Sequence, residues 1–424
     1  MSLSGPPIDP LLRPRPSDQR PEPASRPAPQ PKGSRQRVGP PTRRTSLIAA
    51  GVLGVLTVVI AIVLTRDDEA PALRPVIAID GWAPYWALDD SAGEISRRAG
   101  SMREVSPFWF NVTGVTQIET DKNAAEKLTK KFLKNTRGAA VVPSIVDKLP
   151  AGEMAAILAD PVTRQRHIEA IVAFARSGNY DGIDVNYEQF AFADGRDTWE
   201  TTRPNWVSFV AELAERLHSD GRTLTVSVPV VYDDGRTSES GYWVYDYGAI
   251  VDHVDYIRMM VYDYSVQDPG PIAPLDFVRR SIKGAIDATD RPEKLVLAVP
   301  VYGRNWPVST TGVCPQPDAN NDISIPGKTT VTARSVDDLI QRRNATPVYD
   351  PVTAEWSFEY ELEITDGRLT CVQKRRVHYV DANGVRARMD MAIDEGLGGV
   401  AVWALGFDDD AVWDAILIDG VLAK

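Results

Sequence analysis

Eight short apolar runs recur along the chain from about residue 76, most of them followed by a stretch of helical periodicity. The runs are VIAID from Val76, VSPFWFNV from Val105, AAVVPSI from Ala139, YDGIDVNYE from Tyr180, LTVSVPVVY from Leu224, YIRMMVYDY from Tyr256, LVLAVPVYG from Leu295 and GGVAVWALG from Gly398. Runs this short and this apolar suit strands buried on both faces. Between them, AAEKLTKKFLKN, TRQRHIEAIVAFARSG, NWVSFVAELAERLHSDG and LDFVRRSIKGAIDA place their apolar residues on one helical face. Strand–helix alternation predicts parallel pairing through right-handed crossovers. Eight such units predict an α/β fold, a (β/α)8 TIM barrel over residues 76–424. An open doubly wound sheet is the competing architecture, but its glycine-rich phosphate loop is missing from the first strand-to-helix turn.

The rhythm breaks once. About 95 residues separate the seventh run from the eighth, more than one helix and its loops require. Short β-like pieces, VYDPVTAEWSFEYE and GRLTCVQKRRVHYV, precede the helical DANGVRARMDMAIDEG. They predict a small α+β insertion over about residues 305–380, holding both cysteines, Cys314 and Cys371.

Ahead of the barrel the pattern changes twice. Residues 1–45 are rich in Pro and Arg and nearly devoid of large apolar side chains, which predicts a disordered tail. The run SLIAAGVLGVLTVVIAIVL, Ser46 to Leu64, carries no charge. A helix of about 20 residues crosses the hydrocarbon core, and this run exceeds the h-region of a cleaved signal. It predicts a transmembrane helix over residues 46–65 and a linker over 66–75. Arg43 and Arg44 precede the span, and Asp67, Asp68 and Glu69 follow it. The positive-inside rule then places the tail in the cytoplasm and the barrel outside, on a single-pass protein of the cell membrane.

Charge follows the same division. Residues 1–66 carry a balance of +7 and the remainder −18. A folded part that acidic excludes nucleic acid as a partner held by bulk electrostatics. The four histidines are scattered without ligand spacing, so no metal is expected. Export to an oxidising compartment makes a Cys314–Cys371 disulfide possible; two separate buried thiols are the alternative.

Candidate chemistry concentrates in the fourth run. Alternation puts Ile183, Val185 and Tyr187 on one face and Asp184, Asn186 and Glu188 on the other. The apolar set suits the helix-facing side of a barrel, so the polar set points inward and rises toward the C-terminal mouth, where barrel active sites sit. Burying such a ladder without partners costs several kcal/mol. A desolvated Glu188 holds its proton near neutrality and suits a general acid. A buried structural network is the other reading of the ladder.

At these residues the chain resembles glycoside hydrolase family 18, the chitinases and their relatives. DGIDVNYE is similar to the family's D-G-x-D-x-D-x-E signature on the fourth strand. MMVYDY resembles its Met-x-Tyr-Asp segment on the sixth strand, and GGVAVWALGFDD its eighth strand ending in Trp. The likeness spans roughly residues 76–424. VSPFWFNV and GLGGVAVWALG point within the family to bacterial cell-wall and spore-cortex peptidoglycan hydrolases. The resemblance implies substrate-assisted, retaining cleavage of β-1,4 bonds beside N-acetylglucosamine, in which the sugar's own 2-acetamido oxygen attacks the anomeric carbon. No cofactor is implied. By position Glu188 matches the general acid/base, Asn186 the residue that orients the acetamido group, and Asp184 the aspartate that supports it. Asp181 matches the first aspartate of the signature, Tyr262 the tyrosine on the acetamido oxygen, Asp263 a neighbouring polar contact, and Trp403 the floor of the reacting sugar. Further aromatics after strand ends, among them Trp86, Trp109 and Tyr232, are candidates to line a glycan cleft.

The chain departs from the pattern at Asn186, where the family has Asp. An amide oxygen can accept the acetamido N–H but brings no charge to the developing oxazolinium ion. Two functions stay open: a glycosidase of the cell envelope, or a glycan-binding or scaffold protein on the same barrel. The intact Glu188 favours the enzyme.

Overall fold

The computed structural model describes residues 77–136, 138–318 and 323–417. The predicted tail, the span 46–65 and the linker 66–75 lie outside the described residues. Among the described residues no helix is long and apolar enough to cross a membrane.

Strand β1 (Ile79–Pro84) pairs in parallel with β2 (Glu104–Phe108). The chain breaks at Trp109 and resumes as β3 (Phe110–Val112), against which the short β4 (Ile118–Thr120) runs antiparallel. The third run is likewise split, into β5 (Ala140–Val141) and β6 (Ser144–Asp147). Pro143 sits in the gap and lacks the N–H a continuous ladder needs. Parallel pairs join β2 to β5 and β3 to β6. The sheet continues through β7 (Gly182–Asn186), β8 (Thr223–Pro229), β9 (Tyr256–Met260) and β10 (Leu295–Pro300) to β16 (Gly399–Trp403). Strand β16 pairs back to β1, so the parallel sheet curls onto itself. The first strand lies later than the run VIAID suggests. Its register against Glu104–Phe108 draws Trp82, Ala83 and Pro84 into the ladder, and tertiary pairing outweighs local apolarity.

The helices are α1 (Leu88–Arg98), α2 (Glu126–Asn135), α3 (Glu153–Ala159), α4 (Pro161–Ser177), α5 (Gln189–Phe192), α6 (Trp199–Ser219), α7 (Tyr247–Ile250), α8 (Leu275–Thr289), α9 (Ala333–Arg343), α10 (Ala382–Asp394) and α11 (Asp410–Leu417). Local chemistry sets several starts. Asp160 caps α4 by accepting the Thr163 N–H at 2.9 Å, with Pro161 at the first helical position. Asp381 caps α10 through the Gly384 N–H, also at 2.9 Å.

The core lies between strands and helices, as the alternation in β7 requires. Ile183, Val185 and Tyr187 are fully buried, and each such side chain contributes about 1.5–3 kcal/mol relative to exposure. Tyr187 stacks on Phe209 of α6 with centroids 5.8 Å apart. Its hydroxyl lies 2.8 Å from His167 Nε2, while His167 Nδ1 lies 2.8 Å from the Val115 carbonyl. A carbonyl only accepts, so Nδ1 carries the proton and Nε2 accepts from the tyrosine. Burial keeps this imidazole neutral by lowering its pKa.

The insertion begins earlier than expected. Strand β11 (Tyr302–Gly312) starts one residue after β10 and joins an antiparallel sheet ordered β12–β11–β15–β14–β13. The other members are β12 (Thr329–Thr332), β13 (Val348–Asp350), β14 (Glu355–Thr365) and β15 (Thr370–Tyr379). A Cβ at Gly303 would stand 2.2 Å from the His378 carbonyl of β15, so only glycine fits that crossing. Cys314 and Cys371 are disulfide-bonded at the far end of the β11–β15 pair, with Cα atoms 4.6 Å apart. Glu355 ties the insertion to the barrel, accepting from Ile272 N and Ala273 N at 2.7 Å each and from Arg388 at 2.9 Å.

Candidate active site

Strand β7 carries the polar ladder. Asp184 is fully buried and saturated: Trp82 Nε1 donates at 2.9 Å, Ser227 Oγ at 2.6 Å, Arg258 Nη1 at 3.3 Å, and Ser144 Oγ makes a further short bond. Arg258, from β9, is itself fully buried. It also binds Glu104 at 2.6 Å, Asp80 at 3.3 Å and Ser106 at 2.6 Å. Arg103 grips Asp80 from outside at 2.6 and 3.0 Å. Two guanidiniums therefore hold Asp80, Glu104 and the lowest rung of the ladder, Asp184. Even so, burial pushes the Glu104 carboxyl up to about 7 against the pull of Arg258.

One level up, Asn186 is 2 % exposed and its Oδ1 accepts no hydrogen bond among the described residues. Glu188 stands at the mouth, half-buried, just past the end of β7. Its carbonyl begins α5 by accepting the Ala191 and Phe192 N–H groups, and Tyr245 Oη steadies the preceding carbonyl of Tyr187 at 2.7 Å. Burial pushes the Glu188 carboxyl up to about 7; Asp263 and Asp184 add to the rise, and Lys148 opposes it.

The facing wall is aromatic. Trp403 ends β16, four positions round the ring from β7, and the Trp403–Ala404 peptide is cis. Tyr262 lies nearly parallel to it, with centroids 6.2 Å apart and planes 24° apart. Phe108, Trp82 and Trp86 meet Trp403 edge-on at 5.0, 5.8 and 6.5 Å. Asp263, next to Tyr262, adopts φ +57°, a left-handed conformation that aspartate tolerates better than most residues. Arg304 Nε holds its carboxylate at 3.0 Å, and Arg304 Nη2 and Tyr302 Oη make further short bonds. Both partners come from β11 of the insertion.

A carboxyl pushed up to about 7, an amide carbonyl with an open lone pair and an apolar platform thus stand together at the C-terminal ends of the strands. That set can protonate a glycosidic oxygen while an acetamido group is oriented beside it. Among the described residues no group of His, Cys, Asp and Glu is placed to hold a metal ion.

The sequence profile described as Glycosyl hydrolases family 18 matches residues 104–408, more than half of the chain. The chain belongs to glycosyl hydrolases family 18. Its family relatives carry glycosidase names. It is 24 % identical over 326 residues to the cortical fragment-lytic enzyme of Bacillus subtilis (strain 168), covering 73 % of this chain and 68 % of that one. It is 27 % identical over 207 residues to YdhD of the same organism, whose name describes a sporulation-specific glycosylase. That match covers 48 % of this chain, and the chain spans about half of the relative's length, 46 %. Two solved structures share the fold. A chitinase from Chromobacterium violaceum aligns with TM-score 0.65 and 24 % identity over 81 % of this chain and 98 % of that one. The spore cortex-lytic enzyme SleL of Bacillus megaterium aligns with TM-score 0.63 and 18 % identity over 82 % and 75 %.

Within this family 18 barrel the expected residues divide. Asp184, Asn186 and Glu188 share β7 and its end, and Tyr262, Trp403 and Trp86 form the opposing aromatic cluster. Asp263 lies at the insertion side. Two expectations are corrected. Asp181 sits at the opposite end of β7, roughly 20 Å along the strand from Glu188 at 3.3 Å per residue. There its Oδ2 accepts the Val141 N–H at 2.8 Å and its carbonyl the Thr223 N–H at 3.0 Å, a pin between strands and not a ligand contact. Trp109 is 3 % exposed and packs on Phe132 of α2, because the break between β2 and β3 turns it outward. Tyr232 is half-buried three residues past β8, with Arg280 4.0 Å above its ring and Phe277 of α8 beside it. Sequence reasoning missed Arg258, Ser144, Ser227 and Tyr245. Arg258 in the apolar YIRMM was a legible sign, since a charge inside a buried strand demands partners.

Proposed function

We propose that this chain is a retaining glycosidase that cleaves β-1,4 bonds next to N-acetylglucosamine in a peptidoglycan- or chitin-type glycan of the cell envelope. Glu188 donates its proton to the leaving oxygen. The substrate's acetamido oxygen attacks the anomeric carbon, and the resulting carboxylate of Glu188 activates the water that opens the oxazolinium ring. Asn186 Oδ1 accepts the acetamido N–H, Tyr262 donates to the acetamido oxygen, and Trp403 carries the sugar ring. The observation that carries the reading is the half-buried Glu188, with its carboxyl near 7, above the open acceptor of Asn186. The sequence from residue 46 to 65 supports an anchor holding the barrel outside the cell membrane. Retention in the membrane pellet after alkaline carbonate extraction tests that part.

The test of catalysis uses the full chain in mild detergent, incubated with chitohexaose and with peptidoglycan beside a Glu188→Gln control, products read by mass spectrometry. Cleavage by the parent alone supports the reading. Binding without cleavage by either protein overturns it in favour of a glycan-binding protein, the reading that the uncharged Asn186 favours.

A further inference from the structure

The residues beyond 66 carry a charge balance of −18, yet a lysine stands beside the acid. Register places it there. Ser144 pairs with Asp184 and Val146 with Asn186 across β6 and β7, and Lys148 and Glu188 each follow two residues after that last pair, at the same end of the two strands. Alternation holds within β6. Ser144 points inward, with its hydroxyl on Asp184, whereas Ile145 and Asp147 point to the other face and are buried there. Lys148 follows directly after β6 at the mouth, within electrostatic reach of the Glu188 carboxyl.

Its ammonium is unused within the fold. The Lys148 side chain is exposed, its backbone N–H serves the Val112 carbonyl at 3.0 Å, and among the described residues no carboxylate lies within ion-pair distance of its Nζ. Its charge nonetheless reaches Glu188, whose proton it loosens. Cations elsewhere at the mouth are engaged: Arg304 by Asp263, and Lys328 by the Val266 carbonyl at 2.9 Å. Around the ring Lys148 lies on one side of Glu188 and Tyr262 on the other. A sugar seated on Trp403 and Tyr262 therefore leaves Lys148 facing the neighbouring sugar across the cleaved bond.

We propose that Lys148 selects glycans whose sugar across that bond bears a carboxylate. This rests on Glu188 being the acid of a glycosidase. The chemistry that fits is an N-acetylglucosamine polymer in which alternate sugars carry a carboxylate-bearing ether and no peptide, since an amide linkage would remove the charge.

The test compares peptide-free peptidoglycan strands with the same strands after carbodiimide amidation of their carboxylates. The readout is the ratio of kcat/KM on the two. The ratio should exceed unity in the parent, fall about tenfold in Lys148→Ala, persist in Lys148→Arg, and shrink as salt is raised. An equal loss on both substrates in Lys148→Ala, or an unchanged ratio, overturns the proposal. Should the parent cleave neither of these strands nor chitohexaose, the glycosidase reading fails by itself. Binding of the two strands to Glu188→Gln, with and without Lys148→Ala, then decides: equal affinity for both strands overturns the lysine's role.

Discussion

Arg258 Nη1 lies 3.3 Å from Asp184 Oδ2 inside a barrel where neither side chain reaches solvent. The guanidinium comes from β9 and the carboxylate from β7, so the contact spans the interior beneath the site. Because Arg258 also meets Asp80 and Glu104, replacing it with Met leaves three buried carboxylates with too little counter-charge. Removing one partner of a buried ion pair costs about 3–5 kcal/mol. Urea denaturation should show a loss of that order for Arg258→Met, and an unchanged midpoint would refute the role assigned to this contact.

Activity should fall as pH rises through about 7, the position to which Glu188 is pushed, because the acid form is the active one in the first step. Linkage gives the companion result. A carboxyl raised from 4.5 to about 7 favours the fold only while protonated, so its contribution is present below the unfolded value and is lost as pH climbs between the two. Glu188→Gln should therefore match the parent's stability near pH 4 and exceed it by roughly 3 kcal/mol at pH 8. Chemical denaturation at the two pH values checks the sign.

Asn186→Asp should raise kcat by about tenfold, since a carboxylate supplies the charge-assisted bond that the amide lacks. It also adds an anion between Asp184 and Glu188, so the basic limb of the pH–rate profile should move upward. A lower kcat with a shifted limb would mean that the site is built around the amide.

Trp403→Ala removes the ring on which Tyr262, Phe108 and Trp86 converge. Initial-rate measurements should show KM rising by one to two orders of magnitude, the scale of about 1–3 kcal/mol for a lost aromatic platform.

Cys314→Ser with Cys371→Ser opens the crosslink at the far end of the insertion. Chain entropy sets an upper limit of about 4 kcal/mol for a loop of this length. The barrel should keep its fold, while limited proteolysis should find β11, β14 and β15 cleaved faster than in the parent.

The barrel was legible because its signal is repetitive: eight apolar runs and their helices each repeat a period that a single sequence displays. The ladder was legible for the same reason, since alternation assigns Ile183, Val185 and Tyr187 to one face and Asp184, Asn186 and Glu188 to the other without any knowledge of neighbours. What alternation does not encode is the far end of a contact. Trp82, Ser144, Ser227 and Arg258 converge on Asp184 from four other strands, between 40 and 102 residues away in the chain. Motif position misled at Asp181, where nearness in sequence to Glu188 concealed the length of a whole strand between them. Trp109 failed for a local reason: the strand is interrupted there, and the period of two restarts.

The short step from Pro300 to Tyr302 has one more consequence. Asp263 belongs to the barrel, but the groups that hold it, Tyr302 and Arg304, belong to β11. The insertion is therefore not a detachable ornament. A relative that exchanged or shortened this segment by recombination would inherit an unescorted aspartate at the mouth of its cleft. Barrel and insertion have to travel through evolution, and through any engineering by domain grafting, as a single cassette.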